Sequence, residues 1–224
     1  MFLIYILKLL SFSDILWLFV GGAIALFFGF VCKTIMSIWN VASTKHKKEW
    51  LHLYWFYYES YGKTGIKLPR ALLPLFQRFE RKKFGLIFEA SRVIIINNSN
   101  ADQTYILFCK FEKNRQKNGI KYDLGAAGMI PIDSDPTKTA ADELFQELRV
   151  KNVPIQRWET VTPAQGYNCI IHMFVAELPL DTNFKSDDGT YISFKWIPVS
   201  DWSKYQKAMR PDVVLSMLKL TNKQ

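Results

Sequence analysis

The sequence predicts an α/β/α sandwich built on a mixed sheet and preceded by a transmembrane helix. Two observations carry this prediction: an apolar segment near the N-terminus, and alternating strand and helix patterns from residue 88 onward. The 224 residues, 49% of them hydrophobic, suffice for one core of ordinary size with a segment to spare. We therefore expect a membrane segment at residues 1–44, a connector at residues 45–87 and one domain at residues 88–224.

The apolar segment at residues 15–32 contains no charged residue over eighteen positions. A helix needs roughly 20 such residues to cross a bilayer. We expect the transmembrane helix to cover residues 15–39, because Lys33 can extend its long side chain to the interface. Residues 2–11 are also apolar but too short to cross alone, so an interfacial helix and a first span both remain open.

Basic residues are concentrated on the C-terminal side of this segment. Lys45, Lys47 and Lys48 follow it closely, whereas Lys8 alone precedes it. Because cytoplasmic loops carry the excess of lysine and arginine, we expect an inner (cytoplasmic) membrane protein with its C-terminal domain on the cytoplasmic side. The net charge of +9 indicates attraction to membrane headgroups, nucleic acid or nucleotide phosphates.

Small residues recur at four-residue intervals along one face of the predicted transmembrane helix. They are Gly21, Ala25 and Gly29. Small residues at this spacing let two helix backbones approach closely, which predicts self-association in the membrane. The alternative is a monomeric helix, since glycine and alanine are common in membrane helices.

The predicted connector is aromatic and basic. Residues 50–58 read Trp-Leu-His-Leu-Tyr-Trp-Phe-Tyr-Tyr. We expect an amphipathic helix here, which either meets the lipid headgroups or packs on the following domain. Pro69 and the basic run at residues 78–83 separate it from the first strand of the domain, which should begin near Phe88.

The remaining residues alternate between strand and helix patterns. Segments rich in Val, Ile, Tyr and Phe predict strands at residues 92–97, 104–111, 122–130, 168–177 and 191–198. A turn rich in Asn, Ser and Asp separates the first two, which predicts a hairpin. Asp135 is the expected cap of a helix at residues 137–150, and a second helix is predicted at residues 211–220.

The first of these helices carries Glu143 and Glu147 one turn apart. Residues four apart share one helix face, so both carboxylates can point toward one hard cation such as Mg²⁺ or Mn²⁺. An ordinary solvated helix face is the alternative, because acidic residues are common there. The composition offers no competing site: the three histidines do not form a catalytic triad or zinc pattern, and three isolated cysteines indicate reduced thiols.

Residues 128–150 resemble the Nudix box, which reads Gly, five residues, Glu, seven residues, Arg-Glu-aliphatic-any-Glu-Glu-any-Gly-aliphatic. The matching residues are Gly128, Glu143, Leu144, Glu147 and Val150. The departing residues are Ser134, Asp142, Gln146 and Arg149. The approach at residues 122–128 resembles the isopentenyl-diphosphate-isomerase-like branch of the family, although Met129 stands where that branch has a metal-binding His.

The resemblance implies a Nudix-like fold and locates a site. It assigns Glu143 and Glu147 as metal ligands, with magnesium as the possible cofactor. Gly128 of the box and Asp133 and Asp135, which flank Ser134 and could supply a carboxylate in its place, are further candidate ligand-binding residues. The departures remove several electrostatic roles together, which predicts a catalytically inactive site. The alternative is a membrane-tethered, magnesium-dependent Nudix diphosphate hydrolase.

A second group of candidate contacts is basic and lies on an expected hairpin loop. Its residues are Lys110, Lys113, Arg115, Lys117 and Lys121. They could contact phosphates of a nucleic acid or nucleotide, or equally anionic lipids at the membrane surface. His172 lies within an apolar strand, where we expect a hydrogen-bonded core histidine.

The two-part layout resembles the membrane effectors of prokaryotic anti-phage systems, including retron systems. This resemblance implies a sensor domain that releases a membrane-disrupting helix. Its partner would be a nucleotide ligand or a nucleoprotein, such as a reverse transcriptase with its nucleic acid. A membrane tether for a nucleoprotein partner is the third hypothesis, and it assigns the binding to the basic loop.

Overall fold

The computed structural model describes residues 12–42, 48–57, 60–72, 84–100, 103–116, 118–162, 165, 167, 169–187 and 189–221. Its first element is the helix α1, Phe12–Val41, which contains the predicted transmembrane range. Within the described part of the chain, α1 is the one helix long and apolar enough to cross a membrane, over Ala23–Val41. The large apolar side chains at residues 26–30, such as Leu26 and Phe30, are exposed. The prediction for residues 2–11 lies outside the described residues.

The face of α1 with small residues is open. Gly21, Ala25 and Gly29 are exposed, and a Cβ atom added to either glycine would meet nothing within 4 Å. A second helix would therefore find no obstruction on this face. Self-association through it stays a prediction.

The aromatic segment after α1 is a strand, so the predicted amphipathic helix is wrong. Strands β1, Trp50–Tyr57, β2, Ser60–Pro69, and β3, Phe84–Ile87, form an antiparallel sheet in the order β2-β1-β3. Leu51 and Leu53 are buried, whereas His52 between them is partly exposed and Trp50 before them is exposed. This two-residue period belongs to a half-buried strand. We call these three strands the N-terminal sheet; a short 3₁₀ turn, Arg70–Leu72, follows β2.

The large sheet has seven strands. They are β4, Glu89–Asn100; β5, Gln103–Phe111; β6, Tyr122–Leu124; β7, Ala126–Met129; β8, Ile155–Val161; β9, Ile170–Glu177; and β10, Tyr191–Pro198. The order is β10-β5-β4-β9-β8, with β6 paired to β5 and β7 paired to β4. Strands β4 and β9 are parallel and the other pairs are antiparallel, which confirms the mixed sheet.

The hairpin of β4 and β5 is confirmed, while two strand assignments differ. Strand β8 was not predicted. The single strand predicted at residues 122–130 is divided at Gly125 into β6 and β7. The segment before Gly125 pairs with β5, and the segment after it pairs with β4. Gly125 has φ 52°, and a Cβ atom there would lie 2.0 Å from the carbonyl oxygen of Val93. Only glycine permits this close approach of two backbones.

Helices α2, Pro136–Leu148, and α3, Pro211–Thr221, complete the domain, and both were predicted. They pack on opposite faces of the large sheet, because successive strand residues point to opposite sides. Val93 and Ile95 contribute to the core with Leu144 of α2, whereas Ile94 contributes to the core with Val213 of α3. The large sheet is therefore a layer between two helices.

Candidate functional site

The residues of the box line a cleft at the N-terminal half of α2. Its volume is about 230 Å³, and its charged lining residues are Glu49, Arg70, Asp133, Lys138, Asp142 and Glu143. Two of these come from the N-terminal part of the chain: Glu49 directly precedes β1, and Arg70 directly follows β2. The cleft thus combines four carboxylates with one guanidinium and one ammonium group, and these two cations are the groups that can pair with a phosphate.

The loop that precedes α2 is held by hydrogen bonds of its polar side chains. The Asp135 carboxylate accepts from the backbone N–H groups of Thr137 and Lys138, at 2.8 and 2.9 Å. This confirms the predicted helix cap. The Ser134 hydroxyl lies 2.9 Å from the hydroxyl of Thr139. Asp133 lines the cleft, whereas the capping role of Asp135 directs its carboxylate toward the helix.

Glu143 and Glu147 both face strand β7, but only Glu143 lines the cleft. A Cβ atom on Gly128 would lie 1.9 Å from Glu143 Oε1, so the absence of a side chain at Gly128 creates the space for this carboxylate. Glu147 Oε2 accepts from the backbone N–H of Ala127 at 3.1 Å. The predicted glutamate pair is therefore placed against β7, where Glu143 lines the cleft and Glu147 accepts a hydrogen bond from the backbone.

The donor set is small for a metal ion. The described residues contain no group of three His, Cys, Asp or Glu side chains that could hold one. Mg²⁺ takes six oxygens in an octahedral arrangement and is often bound by one or two carboxylates together with substrate phosphates. Glu143, Asp142 and Asp133 line the same cleft and are the carboxylates that could contact an ion arriving with a phosphorylated ligand. Magnesium as a cofactor stays a prediction.

The position of the terminal glycine of the box shows why the family pattern has glycine there. Arg149 lies directly after α2 with φ 59° and ψ 24°, the left-handed region, and its N–H donates to the carbonyl of Phe145. Glycine adopts this conformation without a steric penalty. In this chain the Arg149 side chain instead pairs with Asp187, with Nε 2.6 Å from Oδ2, and lies over the Phe145 ring.

Sequence reasoning missed the contribution of the N-terminal sheet to the site. Arg70 Nη1 lies 2.7 Å from Glu49 Oε2. The box has Asp142 where the family pattern has arginine, and therefore lacks that positive charge. Among the described residues that line the cleft, the cations are Arg70 and Lys138. The sequence gives no local pattern that places Arg70 beside α2, because the two are joined only through tertiary contacts.

A partly buried hydrogen-bond network connects the N-terminal sheet to the large sheet. The Tyr54 hydroxyl donates to Glu89, and His172 Nε2 lies 3.0 Å from Glu89 Oε1. Arg157 Nη2 lies 3.1 Å from His172 Nδ1. Because arginine only donates, Nδ1 accepts and Nε2 carries the proton that is donated to Glu89. His172 is 6% exposed, which confirms the predicted core histidine.

The hydrogen bonds in this network set the ionisation of Glu89. Burial raises the pKa of its carboxyl, but the hydrogen bonds from His172 and Tyr54 outweigh burial, and the pKa lies below its ordinary value of 4.5. Burial and the bond to Glu89 both raise the pKa of Tyr54. Glu89 is therefore ionised and Tyr54 protonated at neutral pH.

The predicted basic group does not line the cleft. Lys110 lies in β5, Lys113 and Arg115 are exposed on a 3₁₀ turn, Lys113–Arg115, and Lys121 is exposed just before β6. Lys117 lies outside the described residues. The predicted loop between two antiparallel strands is confirmed by the pairing of β5 with β6. Its contacts to phosphate or lipid stay a prediction.

No protein-family model and no curated protein matches the chain. Among solved structures, DR0079 from Deinococcus radiodurans is similar over 76% of this chain and 98% of that chain, with 13% identity and a TM-score of 0.57. The Nudix domain of NrtR from Shewanella oneidensis, complexed with ADP ribose, is similar over 67% and 97%, with 15% identity and a TM-score of 0.48. A C. elegans Ap4A hydrolase is similar over 59% of this chain and 96% of that chain, with 14% identity and a TM-score of 0.45.

At these identities the likeness concerns the fold alone. The match to DR0079 covers more of the chain than residues 88–224 comprise, so it includes residues that precede the predicted domain boundary. The order of the mixed sheet and the placement of α2 and α3 on its two faces agree with the predicted fold class. The chain has a Nudix-like α/β/α fold preceded by one apolar helix.

Proposed function

We propose that this protein is a membrane-anchored sensor with a Nudix-like domain, in which the cleft beside α2 binds a phosphorylated, nucleotide-type ligand without hydrolysing it. The observation that carries the proposal is the lining of the cleft. Arg70 and Lys138 face the same space as Glu143, so an anionic ligand has cationic partners there.

The changed charges of the box support binding without catalysis. Asp142 occupies the position where the family pattern has arginine and is exposed at the cleft, so it adds a negative charge beside Glu143. Ser134 occupies the position where the family pattern has glutamate, so a hydroxyl replaces a carboxylate there. This hydroxyl is hydrogen-bonded to the hydroxyl of Thr139. Loss of a preorganised charge costs a catalyst several orders of magnitude in rate, while binding tolerates it better.

The helix α1 supports the membrane part of the proposal. It is apolar over Ala23–Val41, its residues 23–30 are exposed, and basic residues follow it in the sequence. This arrangement favours an inner-membrane location with the Nudix-like domain on the cytoplasmic side. The open face at Gly21, Ala25 and Gly29 suits association of α1 with a second copy.

Binding and hydrolysis are separated by one assay. The full chain in detergent is incubated with a panel of nucleoside diphosphate derivatives and Mg²⁺ or Mn²⁺, and binding and product formation are measured together. We expect binding without turnover. Turnover that disappears in Glu147→Gln would instead establish the membrane-tethered diphosphate hydrolase, and the absence of both binding and turnover would reject a nucleotide-type ligand.

The specific form of the proposal is a membrane-disrupting effector of a prokaryotic anti-phage defence system. Expression of the full chain is compared with expression of a chain that lacks residues 1–44, with cell growth and membrane permeability as the readouts. We expect toxicity from the full chain alone, because the effect resides in α1. Equal toxicity of the two chains, or none from either, would reject the effector role.

A nucleoprotein partner is supported by the exposure of Lys113 and Arg115 on the basic loop. If the protein recruits such a partner, for example a reverse transcriptase with its nucleic acid, charge reversal of these two residues should abolish co-purification. Retention of the partner by that variant would exclude the basic loop as the binding surface.

A further inference from the structure

The wall of the cleft contains the ion pair of Glu49 and Arg70, which lie directly before β1 and directly after β2 of the N-terminal sheet. Glu49 and Arg70 are joined twice: their side chains pair at 2.7 Å, and the Arg70 N–H donates to the Glu49 carbonyl at 2.8 Å. The Arg70 side chain is 20% exposed and that of Glu49 is 17% exposed. The pair is thus shielded enough to be strong, yet it still faces the cleft.

The residues after Arg70 contact the membrane helix. The turn Arg70–Leu72 packs against α1, and Ala71 in this turn is 3% exposed. In the second half of α1, five residues are partly buried while their neighbours are exposed: Val31, Thr34, Ile35, Ile38 and Trp39. Their three- and four-residue spacing places them on one face of the helix.

The residues after Glu49 contact the loop of the box. The Ile132 N–H donates to the Trp50 carbonyl at 3.0 Å, and Leu51 forms an isolated β-bridge with Pro131. The box loop is thus connected to α1 through β1, through the Glu49–Arg70 pair beside the β1–β2 ladder, and through the turn that packs against the helix. Of these connections, the side-chain pair of Glu49 and Arg70 is the one held by charge. It is therefore the connection that a charged ligand can alter.

Phosphate competes with a carboxylate for arginine. A guanidinium group binds phosphate through two parallel hydrogen bonds, so an anionic ligand in the cleft offers Arg70 a partner at least as favourable as Glu49. The same ligand repels the Glu49 carboxylate. The attraction of Arg70 to the ligand and the repulsion of Glu49 by the ligand both weaken the ion pair between the two residues.

We propose that the Glu49–Arg70 pair is a ligand-exchangeable latch, in which an anionic ligand takes Arg70 from Glu49 and the turn Arg70–Leu72 transmits the exchange to α1. This inference rests on the proposed function, because it requires the cleft to bind a phosphorylated ligand. It assigns Arg70 as a ligand-binding residue and Glu49 as its competitor. When a ligand occupies the cleft and Arg70 exchanges its partner, the packing of α1 should therefore change at the same time.

The affinity test uses the full chain in lipid nanodiscs and inorganic pyrophosphate as the probe, with and without Mg²⁺, measured by titration calorimetry. We expect Arg70→Gln to weaken binding at least tenfold, because a charge-assisted hydrogen bond is lost. Glu49→Gln should tighten binding about fivefold, because the competing carboxylate is removed. A gain in affinity cannot arise from misfolding. Arg149→Gln, which removes an arginine outside the cleft, is the matched control and should leave the affinity unchanged.

The coupling test follows α1 through Cys32, which is exposed and free. In a Cys169→Ser background with Cys109 buried, a spin label on Cys32 should change mobility when pyrophosphate is added. The change should be absent in Arg70→Gln, and Glu49→Gln should show part of it without ligand. Affinity changes with no spectral change would overturn the coupling.

The failures are distinguishable. If the natural sequence binds pyrophosphate but both variants bind within twofold of it, the latch is wrong and the proposed ligand-binding function stands. If the natural sequence does not bind pyrophosphate at all, the proposed phosphate-binding function is overturned, and the latch with it.

Discussion

Among the described residues, one charged cluster lies beside α2 and another beside α3, and the exposure of several of their charged side chains differs. In the cleft beside α2, Asp142 and Lys138 are exposed to solvent. Beside α3, Arg92 and Asp123 are each 3% exposed. Arg92 Nη2 lies 2.7 Å from Asp212 Oδ2, and Arg210 pairs with Asp123.

The comparison teaches which charges are available to a ligand. Buried charges are tolerated only when they are paired, because removing one partner leaves an uncompensated charge in a medium of low polarity. The pKa of Asp212 shows such pairing: burial raises it, but Arg92 and Arg210 outweigh burial and hold it below the ordinary value of 3.8. Arg92, Asp123 and Asp212 therefore maintain the fold. Asp142 and Lys138 in the cleft instead remain accessible to a ligand.

The largest expected effect is on the buried cluster. Arg92→Met should destabilise the protein by about 3–5 kcal/mol, because Asp123 and Asp212 lose a buried partner. Thermal and urea unfolding of the full chain in detergent, followed by circular dichroism, measure the loss. The control is Lys204→Met, which breaks a pair with Asp201 whose side chains are 67% and 41% exposed, and it should change stability by less than about 1 kcal/mol. Equal effects would erase the distinction between buried and exposed charges.

The next effect concerns the network that joins the two sheets. Glu89→Gln should cost about 1–3 kcal/mol at pH 7, because Tyr54 and His172 lose an ionised acceptor. Since the pKa of Glu89 is lowered in the folded protein, its contribution is present above 4.5 and is lost as the pH falls below that value. Urea unfolding between pH 7 and pH 3 should therefore show a smaller loss of stability in the variant. Asp181→Asn, at an exposed acid, should leave the slope unchanged.

A smaller effect is expected in the cleft. Gly128→Ala should destabilise the protein by about 1 kcal/mol, because the new methyl group forces the Glu143 carboxylate to move. The same substitution in a Glu143→Ala background should cost less, since the methyl group then has room. Unfolding of the two single variants and the double variant gives the interaction energy. Additive effects would contradict the contact between Gly128 and Glu143.

The smallest effect is expected at the end of α2. Arg149→Gly should raise stability by up to about 1 kcal/mol, because glycine adopts the left-handed conformation freely and the lost pair with Asp187 is largely solvated. Asn152→Gly is the matched control at a second positive φ, 55°, and should gain less, since asparagine tolerates this region. A lower melting temperature for Arg149→Gly would show that the Asp187 and Phe145 contacts outweigh the backbone cost.

The sequence by itself determined the elements whose patterns are local. The apolar length of α1, the hairpin of β4 and β5, the cap at Asp135 and the spacing of the box all depend on residues close together in the chain. Glu143 and Glu147 share a face because a helix has 3.6 residues per turn. These features required no knowledge of distant contacts.

Only the tertiary structure decided which of these residues meet. The segment after α1 is a strand because β2 and β3 pair with it, although its aromatic composition also suited an interfacial helix. Arg70 reaches the cleft, and Glu147 binds the Ala127 N–H, through contacts between residues far apart in the chain. Such contacts depend on how sheets and helices pack, and the spacing of residues along the chain carries no record of that packing.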